Sequence, residues 1–200
     1  MSTGDKVVSC AVLAPMAPIA LLLAGWWGSV GVLGDSPAVA LFAFSGLAVG
    51  IALDATVLRR SLDSLYTMSD RRLLLVGLFY SIGMYGFFMG FPVFNAIIGV
   101  VGGYVAARRA AIMGWPRERA LRDGRRVAIA MTWVLGALCV ATAAMALNEA
   151  TMGEQLRGML GLSFVVTWPM IYAIIAVGGV GLLVLQYVAT ALTTRWFAPV

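Results

Sequence analysis

Histidine is absent from this chain of 200 residues. It is the side chain that changes charge near neutral pH, and it is the commonest metal ligand in proteins. Its absence excludes histidine-based acid–base catalysis, serine–histidine nucleophiles and histidine-ligated metals or haem. A mechanism based on Ser, Tyr or Arg alone stays open, but the clustered carboxylates of metal-dependent transferases are also missing. We therefore expect a protein that is not an enzyme and that carries no metal or cofactor.

Cysteine is scarce as well, with Cys10 and Cys139 as its two examples. The first lies near the start of the first apolar run and the second near the middle of the fifth. Their depths in a membrane would differ by about 13 Å, whereas a disulfide needs Cα atoms within about 7 Å. We expect no disulfide, and we expect both thiols to act as small buried hydrophobic groups.

Charged residues are scarce too. They make up 12% of the chain, about half their share in a soluble domain. Hydrophobic residues make up 62% and the mean hydropathy is +0.94. Several uncharged runs reach the length of about 17–25 residues that a membrane-crossing helix needs. This composition predicts an all-α polytopic integral membrane helical bundle, forming a single membrane domain over 1–200. We expect about six transmembrane helices, at about 7–30, 38–58, 73–88, 92–107, 127–147 and 169–190.

The stretch 73–107 is central to this prediction. It contains no strongly polar side chain except Asn95, and arginine pairs flank it. As one helix it would reach about 52 Å, against a hydrocarbon core of about 30 Å, so two short spans fit it better. Gly86, Gly90 and Pro92 supply the turn. We expect a tight helical hairpin that returns the chain to its starting side; a re-entrant hairpin that never crosses is the alternative.

Basic residues are distributed unevenly among the predicted loops. With six spans, thirteen of the fourteen Lys and Arg residues fall on one side, and only Arg157 falls on the other. Positive residues concentrate on the cytoplasmic side of membrane proteins. We therefore expect a multi-pass protein of the cell's inner (plasma) membrane with both termini in the cytoplasm. The long apolar run 159–192 leaves open a second crossing, which would move the C-terminus outside.

Two residues within the apolar runs are candidates for substrate binding or coupling. Asp54 is the only Asp, Glu, Lys or Arg inside a predicted span, and intramembrane charge is costly enough to suggest proton or cation coupling. It also lies about one turn from the cytoplasmic end, where it can orient Arg59 or Arg60 instead. Asn95, beside the predicted turn, can bind a polar solute or ion. It can equally cap a helix or hydrogen-bond a neighbouring helix.

The segment 108–126 is the main polar feature, with seven arginines against two acids. It can bind anionic lipid headgroups or a membrane or cytoplasmic protein partner, or it can serve only as a topology anchor. Glu118–Arg122 and Arg119–Asp123 have the spacing of helical ion pairs. No nucleic-acid partner is expected. The candidate lipid- or partner-binding residues are Arg108, Arg109, Arg117, Arg119, Arg122, Arg125 and Arg126.

Glycine is abundant, with 23 examples. Three pairs are spaced by four residues, Gly46/Gly50, Gly86/Gly90 and Gly99/Gly103, and Gly178, Gly179 and Gly181 form a cluster on the last predicted span. Small residues at such positions let helix backbones approach each other in a membrane. We expect these glycines to pack inside one bundle rather than to form a dimer.

Two stretches carry a resemblance to other proteins: LDATVLRR and, after an intervening tyrosine, LFYSIGMYGFFMGFPVFNAIIGVVGGYVAARR. They resemble a group of small multi-span prokaryotic membrane proteins of unknown function. The resemblance covers about 50–109 and implies a recurring membrane module, without implying a substrate or an activity.

The residues themselves favour a transport-related membrane component for a small solute or ion. In this interpretation Asp54 and Asn95 flank a polar path through the bundle. The alternative is a non-catalytic membrane scaffold or assembly partner. It would bind lipid or another protein through its arginine-rich cytoplasmic loop.

Overall fold

The computed structural model describes residues 2–34, 36–87, 93 and 95–199, with the backbone alone for 57–64 and 87. The fold is 87% helix, and no strand occurs in the described residues, which confirms the all-α prediction. Four helical segments are long and apolar enough to cross a membrane: Thr3–Leu33, Ala38–Thr56, Arg117–Asn148 and Trp168–Phe197. They indicate a membrane location.

Helices α1 to α9 follow one another along the described chain. Their bounds are Thr3–Leu13, Met16–Leu33, Ala38–Ser61, Asp70–Phe87, Asn95–Ile112, Arg117–Asn148, Met152–Leu160, Trp168–Ala173 and Gly179–Phe197. A 3-10 helix at Leu62–Thr67 follows α3, and a π-helix at Ile174–Gly178 joins α8 to α9. Contacts divide the chain into two compact units, Met1–Ser69 and Asp70–Val200. The single membrane domain over 1–200 stays a prediction.

Proline divides the predicted first span into two helices. α1 ends at Leu13, and Pro15 precedes the first residue of α2, because proline lacks a backbone donor and crowds the preceding turn. α1 starts with a capping box, in which the Ser2 N–H donates to the Asp5 carboxylate at 2.8 Å and the Asp5 N–H donates to Ser2 Oγ at 3.2 Å. The hydroxyl of buried Tyr66 donates to the Asp5 carbonyl at 3.3 Å. This bond ties α1 to the 3-10 helix.

Helices α2 and α3 form an antiparallel pair whose backbones meet at glycines. A side chain at Gly46 would overlap the carbonyl oxygen of Leu21, and a Cβ at Gly50 would lie 2.8 Å from the carbonyl oxygen of Ala17. Contact this close is available only to residues without a side chain. The prediction that Gly46 and Gly50 pack inside the chain is confirmed.

Helices α5, α6 and α9 form the core of the second unit. A Cβ added at Gly99 would lie 2.6 Å from Nε2 of Gln186, and one at Gly103 would lie 3.1 Å from Cβ of Thr193. Contacts therefore advance along both helices together, so α5 and α9 run parallel. The prediction that Gly99 and Gly103 pack inside the chain is also confirmed.

Helix α6 runs in the opposite direction to α9. A Cβ at Gly124 would lie 2.8 Å from Oγ1 of Thr194, and one at Gly136 would lie 3.7 Å from Cδ2 of Leu183. Residue numbers thus rise along α6 as they fall along α9. The face that contributes Gly124 also carries the buried side chains of α6.

The ends of the predicted hairpin meet through an ion pair. Arg109 Nη1 donates to Asp70 Oδ1 at 2.6 Å, which joins the last turn of α5 to the first residue of α4. The two helices therefore return the chain to the same end of the unit. The proposed turn residues Gly90 and Pro92 lie outside the described residues.

Some finer expectations are wrong. Cys10 is exposed rather than buried, although Cys139 is half-buried and both thiols are free. A Cβ at Gly86 would meet nothing within 4 Å, and the same holds for the cluster at 178, 179 and 181. Glycine spacing alone therefore does not identify a helix contact, because it says nothing about where the partner helix lies.

Candidate functional site

Three side chains in the core of the second unit have buried polar atoms without a hydrogen-bond partner among the described residues. The atoms are Nδ2 and Oδ1 of Asn95, Oγ1 of Thr132 and Oε1 of Gln186. Asn95 opens α5 and Gln186 lies within α9, and each is 2% exposed. Because buried polar groups in proteins are almost always hydrogen-bonded, these atoms call for a physical explanation. We name Asn95, Thr132 and Gln186 the polar layer.

The side chain of Gln186 lies across Gly99 of α5. A Cβ at Gly99 would stand 2.6 Å from Nε2 of Gln186 and 2.7 Å from Oγ1 of Thr190. Asn95 precedes Gly99 by one helical turn, about 6 Å, on the same helix face. The missing side chain at 99 thus leaves the room that the Gln186 amide occupies.

Thr132 faces α9 at the level of Gln186. It belongs to a row of α6 residues spaced by four, which begins at Gly124 and ends at Gly136, and both ends of this row contact α9. Gly124 lies against Thr194, and Thr132 follows Gly124 by about 12 Å. Gln186 precedes Thr194 by the same rise in the antiparallel helix. All three core helices therefore contribute to the layer.

Neighbouring threonines of α9 show why the amides are different. The hydroxyls of Thr190, Thr193 and Thr194 donate to carbonyls four residues earlier, at 2.8, 2.8 and 2.9 Å. A short hydroxyl side chain can satisfy itself on its own helix in this way. The carboxamides of Asn95 and Gln186 make no such bond in this structure, so their unpaired atoms need a partner from outside their own helices.

The polar layer offers three oxygen acceptors, of which the Thr132 hydroxyl can also donate, and the NH2 group of Asn95 as a further donor, all without a formal charge. Each buried polar atom left unpaired costs about 1–3 kcal/mol. This set suits a small uncharged solute that both donates and accepts hydrogen bonds. Among the described residues, no three His, Cys, Asp or Glu side chains come together that could hold a metal.

Asp54 is half-buried on α3 in the first unit, with the exposed side chains of Leu53 and Ala55 beside it. The side chains of Arg59 and Arg60, its predicted partners, are outside the described residues. Asp54 belongs to the first unit and Asn95 to the second.

The arginine segment is organised around Trp115, in the connection between α5 and α6. The guanidinium carbons of Arg109 and Arg119 lie 5.5 and 4.2 Å from the centre of its ring, within the range of cation–π attraction. The Trp115 ring also packs on a buried alanine cluster. Arg117 donates to the carbonyl of Pro199 at 3.2 Å. Connection, helix start and C-terminus thus form one ordered region.

The remaining candidate arginines differ in their exposure. Arg108 is half-buried, whereas Arg122, Arg125 and Arg126 are exposed on α6. The two ion pairs predicted within α6, Glu118–Arg122 and Arg119–Asp123, are not formed in the described structure. Arg119 contacts the indole instead.

Two members of the polar layer, Thr132 and Gln186, were not predicted as site residues. Gln186 carries the only side-chain amide in the predicted span 169–190, and that rarity is a usable signal. Thr132 gives no signal in the sequence, because membrane helices commonly contain threonine that bonds its own backbone. A second missed contact joins Thr142 to Tyr85, whose hydroxyl oxygens lie 3.0 Å apart.

Comparison of the chain with protein-family models, with curated proteins and with solved structures finds no match in any of the three. The resemblance over about 50–109 therefore stays a prediction.

Proposed function

We propose that this protein is a transport-related membrane component, and that its polar layer lies on the path of a small uncharged polar solute. The observation that supports this most is the group of four buried polar atoms without described partners. Unpaired polar groups are costly within a bilayer. A core selected for stability alone would carry apolar side chains at these positions. A solute that hydrogen-bonds to the layer offsets the cost while it is bound.

Transport through this layer requires movement, since all four atoms are buried in the present conformation. The contact between α5 and α9 runs over Gly99 and Gly103, where helices approach through small groups. Such a surface can slide or separate slightly, because the contacts over these glycines are made by Gln186, Thr190 and Thr193 rather than by large apolar side chains. The π-helix Ile174–Gly178 directly before α9 is an irregular turn of a type that often occurs at functional sites. We propose that it absorbs the shift of α9.

The test is solute flux into liposomes that contain the purified protein. Stopped-flow light scattering would follow urea and glycerol, and a potential-sensitive dye would follow K⁺ and H⁺. We expect Gln186→Leu to reduce solute flux by about tenfold or more, as removal of one hydrogen-bonding partner predicts. Gln155→Leu is the matched control, because Gln155 is exposed on α7. Flux no higher than in empty liposomes, or equal flux in both variants, contradicts the proposal.

The same assay addresses Asp54, which we retain as a candidate coupling residue. Asp54→Asn abolishes an ion-dependent signal if its carboxylate carries the coupled ion. Unchanged solute and ion flux in this variant would leave Asp54 as a carboxylate that orients nearby groups at the membrane boundary.

We further propose about six membrane segments in the cell's inner membrane, with both termini on the cytoplasmic side. The uneven distribution of arginine supports this topology. The Asp70–Arg109 pair supports it too, since it joins the polar ends of α4 and α5. This topology can be tested with single cysteines introduced into the protein and labelled in intact cells. Positions 72 and 195 should be protected from an impermeant reagent and position 161 should react; the reverse pattern would overturn the orientation.

A non-catalytic scaffold is the second candidate function. The order of the α5–α6 connection around Trp115 favours it, because a preformed basic surface loses little entropy when it binds a partner. The partner would be a lipid or a membrane or cytoplasmic protein.

A further inference from the structure

Helix α6 is longer than a membrane crossing requires. Its 32 residues reach about 48 Å, against a hydrocarbon core of about 30 Å. All its arginines lie in the first ten residues, and an apolar run follows. The arginines of α6 therefore lie beyond the hydrocarbon core, between its edge and the polar region beside it.

One face of α6 combines arginines with apolar side chains that are exposed. At 100° per residue, the members of this face lie within about 40° of one line along the helix. They are Arg122, Arg126, Ile129, Trp133 and Val140, which we name the outer stripe. Ile129, Trp133 and Val140 are 44%, 76% and 70% exposed. The opposite face is buried in the unit, at Ala120, Gly124, Ala128, Met131 and Leu135.

We infer that Arg122 and Arg126 of the outer stripe bind the phosphate groups of anionic phospholipids in the surrounding bilayer. Large exposed apolar side chains on a membrane-spanning helix face the lipid chains. Trp133 and Ile129 therefore indicate that the outer stripe of α6 faces the surrounding lipid. Arg126 and Arg122 precede Ile129 by about 5 and 10 Å along the helix. That rise places their guanidinium groups at the depth of the lipid headgroups.

The chemistry of the two arginines fits a phosphate ligand. Both are exposed, and neither has an ion-pair partner within 4 Å in the described chain. A guanidinium presents a planar fork of donors that matches phosphate oxygens. A cytoplasmic protein would have to share this face with the acyl chains that contact Trp133, which is why the geometry favours lipid over protein.

The test is native mass spectrometry of the full chain from mild detergent doped with phosphatidylglycerol and phosphatidylcholine in equal amounts. We expect the wild type to retain phosphatidylglycerol preferentially. Arg122→Gln/Arg126→Gln should lower that retention by about tenfold or more, because each arginine near an anionic surface contributes separately. Arg71→Gln/Arg72→Gln is the matched control: it makes the same charge change, at exposed residues of α4.

Several outcomes would overturn the inference. One is a wild type without preference between the two lipids, and another is equal loss in both double variants, which would indicate bulk charge rather than a site. A third is unchanged lipid retention together with loss of a co-purifying protein in the α6 variant. Solute flux is a separate readout, so failure here and failure of the transport proposal are distinguishable.

Discussion

Gly46→Ala is expected to separate α2 from α3 and to lower the free energy of unfolding by about 3 kcal/mol or more. The added Cβ would overlap the carbonyl oxygen of Leu21 and lie 2.8 Å from its carbonyl carbon. Those are backbone atoms of a helix, so they cannot move aside as the end of a flexible side chain can. Close packing is also what holds helices together in lipid, where burial from water contributes little.

Thermal unfolding in mild detergent measures this effect, and the chain supplies its own controls. Gly28 and Gly31 lie in α2, where an added Cβ would meet nothing within 4 Å. Alanine there removes the conformational freedom of glycine, so Gly28→Ala and Gly31→Ala should be neutral or stabilise by about 0.5–1 kcal/mol. Equal melting temperatures for Gly46→Ala and Gly28→Ala would show that the α2–α3 contact does not limit stability.

The sequence predicted the features that depend on local chemistry. Apolar runs predicted the helices, and paired glycines at 46/50 and 99/103 predicted helix contacts. These signals are readable because each acts within a few residues or along one helix face. The return of the chain in the hairpin, which the Asp70–Arg109 ion pair shows, also follows from the length of the stretch.

Other features depend on which helices become neighbours, and periodicity does not contain that information. Gly86 and Gly90 have the same spacing as the glycine pairs that do make contacts, yet a Cβ at Gly86 would meet nothing within 4 Å. The polar layer requires α9 to pack parallel to α5 and antiparallel to α6. Thr132 and Gln186 are 54 positions apart, and only this arrangement brings them to one level.

The arginine segment shows competition between local and tertiary contacts. Helical spacing predicted that Arg119 would pair with Asp123, but Arg119 lies over the ring of Trp115 at 4.2 Å. An exposed ion pair between residues four apart contributes only about 0.3–0.5 kcal/mol, so a neighbouring indole can readily replace it. The ring is in place because Trp115 also packs on the buried alanine cluster.

Replacing the amides of the polar layer with leucine is expected to stabilise the fold. Asn95→Leu and Gln186→Leu each remove buried atoms that have no described partner, and leucine has the branched shape of asparagine and a volume near that of glutamine. Each variant should gain about 1–3 kcal/mol, which corresponds to a rise in melting temperature of about 2–12 °C for a chain of this size. Thermal unfolding in mild detergent, with exposed Gln155→Leu as the unchanged control, measures it.

The sign of this shift separates a transport site from a structural contact. If Asn95 or Gln186 joined two helices by a hydrogen bond within the membrane, leucine would lower stability by about 0.6–2 kcal/mol. A rise in melting temperature together with a loss of solute flux would mean that the chain keeps costly amides for function. A fall in both would assign these amides to the architecture of the bundle, and the transport proposal would lose the observation that supports it.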